Sequence, residues 1–299
     1  MLPVEVQHIS KSYGMVNALN DIDFSVNRGE LFGFIGPDGA GKTSLFRILT
    51  TLLIQDKGRA YVQGLDTVKD YKKIRKIVGY MPGRFSLYPD LTVEENLSFF
   101  AGIFGAKVSE NYHLVKEIYS QIEPFKDRKA GKLSGGMKQK LALSCALIHK
   151  PEVLFLDEPT TGVDAVSRTE FWEMLKRLIG YGITILVSTP YMDEASRCDR
   201  VALIQNGTIL EINSPVEIVK GYRKKIFSVR SEKAFGLLND LRETVRDAYA
   251  FGNEIHFSME NSDVDTVLRK LTSLGYENIL IREISPNIED CFMELMSKP

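Results

Sequence analysis

Gly36-Pro37-Asp38-Gly39-Ala40-Gly41-Lys42-Thr43-Ser44 is the stretch that decides the fold. It is a complete G-x-x-x-x-G-K-[ST] phosphate loop. An apolar run, Leu31 to Ile35, precedes it, and a helical pattern, Leu45 to Leu49, follows it. That is the strand–loop–helix setting the motif requires. Glycines at 36, 39 and 41 let the backbone turn with its N–H groups pointing inward at an anion. A helix starting near Lys42 adds the positive end of its dipole. Lys42 is expected to meet the β- and γ-phosphates, and the Thr43 hydroxyl to meet Mg²⁺. The stretch predicts a nucleoside triphosphate site built on residues 36 to 44.

The 299 residues are 44% hydrophobic and 26% charged, with a net charge of −1. This is ordinary globular composition, long enough for one large domain or two smaller ones. No basic excess marks a nucleic-acid partner, so none is expected. No run of 18 or more apolar residues is present to span a membrane, and no charged-then-apolar leader opens the sequence. A cytoplasmic location is therefore expected. Cys145, Cys198 and Cys291 are isolated and read as small core residues in a reducing compartment. His8, His113, His149 and His256 are scattered, with no metal-ligand spacing.

Outward from the phosphate loop, the opening segment alternates Val4, Val6, Ile9 and then Ile22, Phe24, Val26, which predicts an antiparallel pair. From Leu91 to about 135 the pattern turns helical, with Thr92 as N-cap and Glu95 closing a capping box. Val153 to Leu156 and Ile183 to Val187 read as buried parallel strands separated by a helix, Ala165 to Ile179. Val201 to Ile204 and Thr208 to Ile212 flank Asn206-Gly207, a hairpin signal. Near Gly221 the periodicity breaks at Arg223-Lys224-Lys225. Beyond it we expect a strand (226–229), a helix (232–244), two strands (247–251 and 254–259), a helix (263–274), a strand (278–282) and a last helix (288–296). The βαββαβ order predicts a ferredoxin-like α+β domain over 221–299, behind a nucleotide-binding domain over 1–220.

Two further motifs carry chemistry. Val153-Leu154-Phe155-Leu156-Asp157-Glu158 is an apolar strand ending in two acids. Beside a phosphate loop, Asp157 can hold the Mg²⁺ shell, and Glu158 can orient or deprotonate an attacking water. Ser134-Gly135-Gly136 opens a helix expected over Met137 to His149, which makes a second anion-binding N-terminus.

In this order, the three motifs resemble the ATP-binding cassette ATPases, over residues 3 to about 220. The resemblance implies an α/β P-loop NTPase cassette: a mixed sheet core with an antiparallel piece and a helical subdomain over about 91–135. Tyr13 matches the aromatic that stacks on adenine in that family, and Gly162-Val163-Asp164 its interface loop. Leu87-Tyr88-Pro89-Asp90-Leu91-Thr92-Val93 and Tyr191-Met192-Asp193-Glu194-Ala195 look like the cassettes of drug- and polymer-exporting transporters. The implied cofactors are ATP and Mg²⁺. The implied partners are a transmembrane permease subunit and a second cassette, identical, different or in the same longer chain. The implied place is peripheral, at the inner face of the cell membrane. Two cassettes would sandwich two ATP molecules head to tail, each between one chain's phosphate loop and the other's Ser-Gly-Gly. The alternative is a soluble or regulatory cassette protein that completes a partner's ATPase site. Phe85, Leu87 and Tyr88 read either as a docking surface or as a loop tucked onto its own core.

Two family positions depart from the pattern. Tyr80-Met81-Pro82 is followed by Gly83 where the family usually has glutamine. Ser188-Thr189 is followed by Pro190 where it usually has histidine. Glycine has no side chain, and proline offers neither an imidazole nor an N–H. We expect a site that binds ATP and hydrolyses it slowly, unless Arg84 substitutes electrostatically.

Overall fold

In the computed structural model, residues 1–231, 234–245, 247–259 and 264–297 are described. The chain divides into two units, Met1–Ser214 and Pro215–Pro299. The first opens with β1 (Val4–Tyr13), β2 (Val16–Val26), β3 (Leu31–Ile35), α1 (Lys42–Leu49), β4 (Lys57–Val62), β5 (Leu65–Asp66), α2 (Tyr71–Ile77) and β6 (Val78–Met81). Helices α3 (Val93–Ile103), α4 (Val108–Tyr119) and α5 (Gly135–Leu147) follow. Then come β7 (Val153–Asp157), α6 (Ala165–Ile179), β8 (Thr184–Thr189), β9 (Arg200–Gln205) and β10 (Thr208–Asn213).

The alternating residues of the opening segment bury one face, as expected. Val4, Val6 and Ile9 of β1 lie inward with Ile22, Phe24 and Val26 of β2, and the two strands pair antiparallel. This sheet runs β2-β1-β4-β5. The second sheet runs β10-β9-β3-β8-β7-β6, parallel except for β10. Strands β3, β7 and β8 are buried at every residue, the pattern of parallel strands covered on both faces. Phe24, Phe34, Phe46 and Phe155 pack edge to face in sequence, 5.0, 5.7 and 5.7 Å apart. These rings join both sheets and α1 in one core, each pair adding about 0.5–1.5 kcal/mol beyond its burial.

The helical stretch forms where its caps say. Thr92 Oγ1 accepts from the Glu95 N–H (3.1 Å), and Glu95 Oε2 accepts from the Thr92 N–H (2.8 Å). Asn96, fully buried, binds both the N–H and the C=O of Tyr88, which pins the loop ahead of α3. Helix α5 starts at Gly135, two residues earlier than expected, because Ser134 itself is its N-cap. Asn206 and Gly207 take the positive φ values, 48° and 76°, of a two-residue hairpin turn.

The second unit begins with α7 (Pro215–Gly221), followed by β11 (Lys225–Arg230), α8 (Ala234–Arg242), β12 (Asp247–Phe251), β13 (Glu254–Met259), α9 (Val264–Ser273), β14 (Leu280–Ile284) and α10 (Ile288–Ser297). Its antiparallel sheet runs β12-β13-β11-β14. With the βαββαβ order this is a ferredoxin-like arrangement. Helix α7 belongs to this unit: the Cys291 thiol of α10 donates to Ile218 C=O of α7, and Ile218 is buried. The division therefore falls at 214/215. Strand β14 starts at Leu280 because Asn278 takes a left-handed φ of 51°, which ends extended pairing. The expected helix starts at Glu232 and Asp263 lie outside the described residues.

Candidate functional site

The parallel sheet sets its strand ends side by side. Ile35 pairs with Thr189, and Asp157 with Ser188. Met81 pairs with Leu156. The residues that follow each strand therefore emerge at one edge: the phosphate loop after β3, Glu158 after β7, Pro190 after β8 and Gly83 after β6. Ligands of open α/β sheets bind at these carboxyl ends.

The loop needs its glycines. Gly39 and Gly41 have φ of 80° and 103°. A Cβ on Gly36 would lie 2.1 Å from Ile204 O, and one on Gly41 2.3 Å from Ala18 O, so only glycine fits at either position. Pro37, Asp38 and Ala40 complete the turn, and Ala40 is buried. Lys42, 3% exposed, curls back so that Nζ donates to Gly36 O (2.8 Å) and Pro37 O (2.9 Å). Its third neighbour is Glu158 Oε1 at 3.4 Å. A buried ammonium inside a ring of backbone, at the start of α1, is a site for phosphate oxygens. These residues fit a nucleotide: Lys42 and the loop N–H groups would hold its phosphates. Thr43 and Asp157 would hold Mg²⁺, which would supply neutralising charge to the phosphates.

Asp157 is 2% exposed and accepts from the Ser188 hydroxyl at 2.5 Å. Glu158 has a left-handed φ of 49°. Its N–H is held by Ser188 O (3.0 Å) and Ser188 Oγ (3.1 Å), which keeps a conformation a non-glycine residue otherwise avoids. That turn aims the Glu158 carboxylate at Lys42. Burial, then the Asp157 charge, push the Tyr80 phenol up to about 12, so Tyr80 is neutral beside the acids. Ser188 is the residue the motifs alone did not single out. Its signal in the sequence is a hydroxyl ending an apolar strand, level with the acid that ends the neighbouring one.

Position 83 adjoins the acids. A Cβ on Gly83 would lie 3.1 Å from Asp157 O and 3.6 Å from Glu158 Cβ. Position 190 adjoins the phosphate loop, since the Gly36 N–H donates to Thr189 O (3.3 Å). Both places adjoin the site, and both lack a polar side chain.

Tyr13, 47% exposed at the β1–β2 turn, brings its hydroxyl to 3.4 Å from Ser44 Oγ. Its ring lies beside the loop, with Lys11 Nζ 5.9 Å from the ring centre. Tyr13→Ala is expected to weaken MgATP binding by about 1–3 kcal/mol of lost stacking, read by calorimetry. An unchanged affinity would remove Tyr13 from the site.

Ser134, Gly135 and Gly136 do not join this cluster within the chain. Gly135 abuts Gly162 O, and Gly136 abuts Ser167 Oγ. Ser134 Oγ caps α5 at the Met137 N–H (3.4 Å) and is exposed. Asp164 caps α6 through the N–H groups of Val166 (3.1 Å) and Ser167 (3.0 Å), and the latter bond leads the causes holding its carboxyl below the usual range.

A groove of about 350 Å³ opens among β6, α3 and α5. Leu52, Leu87, Phe100, Ile103, Phe104 and His149 line it. Leu87 is buried in its wall, whereas Phe85 and Tyr88 are 41% and 48% exposed. Leu87 is thus tucked onto the chain's own core, while Phe85 and Tyr88 stay exposed. Arg75, at the rim, is held by Thr51 through two bonds of 2.8 Å.

Comparison with known proteins agrees with this geometry. A family model described as ABC transporter matches residues 19–161. The probable multidrug ABC transporter ATP-binding protein YbhF of Escherichia coli K12 is 39% identical over 218 residues, covering 72% of this chain and 38% of that protein. The Nod factor export ATP-binding protein I of Burkholderia pseudomallei is 38% identical over 301 residues, covering 99% of this chain and 97% of that protein. A solved dimeric ATP-binding cassette in a post-hydrolysis state, bound to ADP and Pi, superposes with a TM-score of 0.65 at 25% identity, covering 71% of this chain and 98% of that one. The chain belongs to the ATP-binding cassette family of transporter ATP-binding subunits. It spans less than half the length of YbhF, and nearly all of the Nod factor export protein. No helix of the described residues is long and apolar enough to cross a membrane.

Proposed function

We infer that this chain is the nucleotide-binding subunit of an exporter, that it binds MgATP on residues 36–44 with Tyr13, Thr43 and Asp157, and that its own site turns ATP over slowly. The observation that carries the second half is the pair Gly83 and Pro190. Gly83 adjoins the acids and Pro190 follows Thr189, whose carbonyl binds the phosphate loop, and neither side chain can donate to a phosphate or orient a water. Glu158 remains placed to take a proton from water. A residue that only takes the proton, without the groups that fix the water and the γ-phosphate, leaves a large part of the barrier in place.

Ser134-Gly135-Gly136 is intact, with Ser134 and Gly135 exposed and Gly136 half-buried, and does not join the chain's own phosphate-loop cluster. In a head-to-tail pair it would close the second cassette's ATP site. We therefore assign this chain to a pair in which it completes a partner's site better than it runs its own. The partner cassette is a separate subunit or the other half of a tandem protein. The apolar groove beside α3, lined by Leu87, Phe100, Ile103 and Phe104, suits a short helix of a transmembrane permease at the inner face of the membrane. The second unit would be an accessory domain.

The experiment is the ATPase rate of the assembled pair. Ser134→Arg here puts bulk and charge where the partner's γ-phosphate must sit, and is expected to lower the rate more than tenfold. Glu158→Gln here is expected to change it by less than about threefold, since most turnover occurs at the other site. A greater loss from Glu158→Gln than from Ser134→Arg would mean that the chain runs its own chemistry.

A further inference from the structure

Glu194 sits outside the nucleotide cluster, and it is 3% exposed. Its Oε2 accepts from the Thr189 hydroxyl at the end of β8 (2.5 Å) and from the Thr160 hydroxyl in the turn after Glu158 (3.1 Å). Its Oε1 lies 3.1 Å from the Arg168 guanidinium in α6. Arg168 also stacks on Tyr191 at 4.3 Å, and the Tyr191 N–H donates to Thr189 Oγ1. Three chain segments thus meet on one carboxylate. A buried acid with its partners in place is a rigid node, and the loss of one partner is felt by the others.

The node stands behind the surface that carries Ser134. Gly162 O would meet a Cβ on Gly135 at 3.3 Å, and Ser167 Oγ would meet one on Gly136 at 3.2 Å. Thr160 lies just ahead of Gly162, and Arg168 directly follows Ser167. The two glycines therefore rest on the two segments that Glu194 fastens.

We propose that Glu194 is a positioning residue, fixing loop 160–164 and the first turn of α6 so that Ser134-Gly135-Gly136 is held in the geometry a partner cassette's ATP requires. The proposal rests on the head-to-tail reading above. Segment 189–194 offers no donor toward its own phosphates at Pro190, yet it keeps a full set of contacts toward the Ser134 face. Its work is directed at the partner.

The test uses the assembled transporter with MgATP. Thr160→Val removes one hydroxyl and leaves Glu194 with Thr189 and Arg168, so the fold is retained. Its kcat is expected to fall about ten- to a hundredfold with KM unchanged, the cost of a small misplacement. Thr160→Ser is expected to restore kcat to within twofold of wild type, and Glu194→Ala to lose at least as much as Thr160→Val. A Thr160→Val kcat within twofold of wild type overturns the proposal. A raised KM at unchanged kcat overturns it too, because it puts the node in the chain's own nucleotide binding. Ser134→Arg is measured alongside. If it stops turnover while Thr160→Val does not, this proposal alone fails. If it leaves turnover untouched, the head-to-tail reading fails and the proposal falls with it.

Discussion

Lys42→Ala is expected to weaken MgATP binding by about 3 kcal/mol, roughly a hundredfold, while the fold persists. The magnitude follows from burial. Lys42 Nζ is held by Gly36 O and Pro37 O inside the loop, so its charge is screened little by water and would meet phosphate oxygens at close range. Its other neighbour is Glu158 at 3.4 Å. A γ-phosphate must share or displace that carboxylate. Alanine leaves Glu158 without its cation, beside incoming phosphate charge, which adds repulsion to the lost attraction. Titration calorimetry reads the affinity, and circular dichroism checks that the variant is folded. An affinity within twofold of wild type would mean that the phosphates sit elsewhere.

Most of this site was legible because its chemistry is local. The phosphate loop needs glycines at fixed offsets, and Gly36 and Gly41 proved to have backbone oxygens where a side chain would go. The capping box at Thr92 and Glu95 and the Asn206-Gly207 turn are likewise set by neighbouring residues, and each formed where the sequence placed it. What escaped was tertiary. Ser188 binds Asp157 across two strands, and Glu194 collects Thr160, Thr189 and Arg168 from three segments. No spacing in the chain announces such meetings. The same limit applies to Leu87 and Tyr88. They are near neighbours in one loop, and the first is buried while the second is exposed, because Asn96 folds under the backbone of Tyr88. The unit boundary moved for a related reason: Pro215–Gly221 is a short helix whose partner, α10, lies at the far end of the sequence.

Gly83→Gln with Pro190→His is expected to raise the ATP turnover of the isolated chain about a hundredfold. A single lost positioning or charge-stabilising contact at a reacting phosphate costs about 10²- to 10³-fold, and steric adjustment takes back part of what the two restored groups return. The adjustment is visible at position 83. A Cβ there meets Asp157 O at 3.1 Å, so the backbone must give by a few tenths of an ångström before a glutamine amide can reach the space between Asp157 and the phosphates. At position 190 a histidine would follow Thr189, whose carbonyl binds the Gly36 N–H, and so would stand beside the phosphate loop. It would also return a backbone N–H that proline lacks. Glu158 is already turned toward Lys42 by its left-handed backbone, and would act as proton acceptor once a γ-phosphate takes its place at the lysine.

The steady-state ATPase rate of three forms of the isolated chain tests the central claim most directly: wild type, Gly83→Gln/Pro190→His, and that pair with Glu158→Gln added. The account predicts slow wild-type turnover, a gain of about a hundredfold in the double variant, and loss of that gain in the triple. Wild-type turnover of about 1 s⁻¹ or more, with no gain from the double substitution, would contradict it and show that Arg84 or another group has taken over the missing roles.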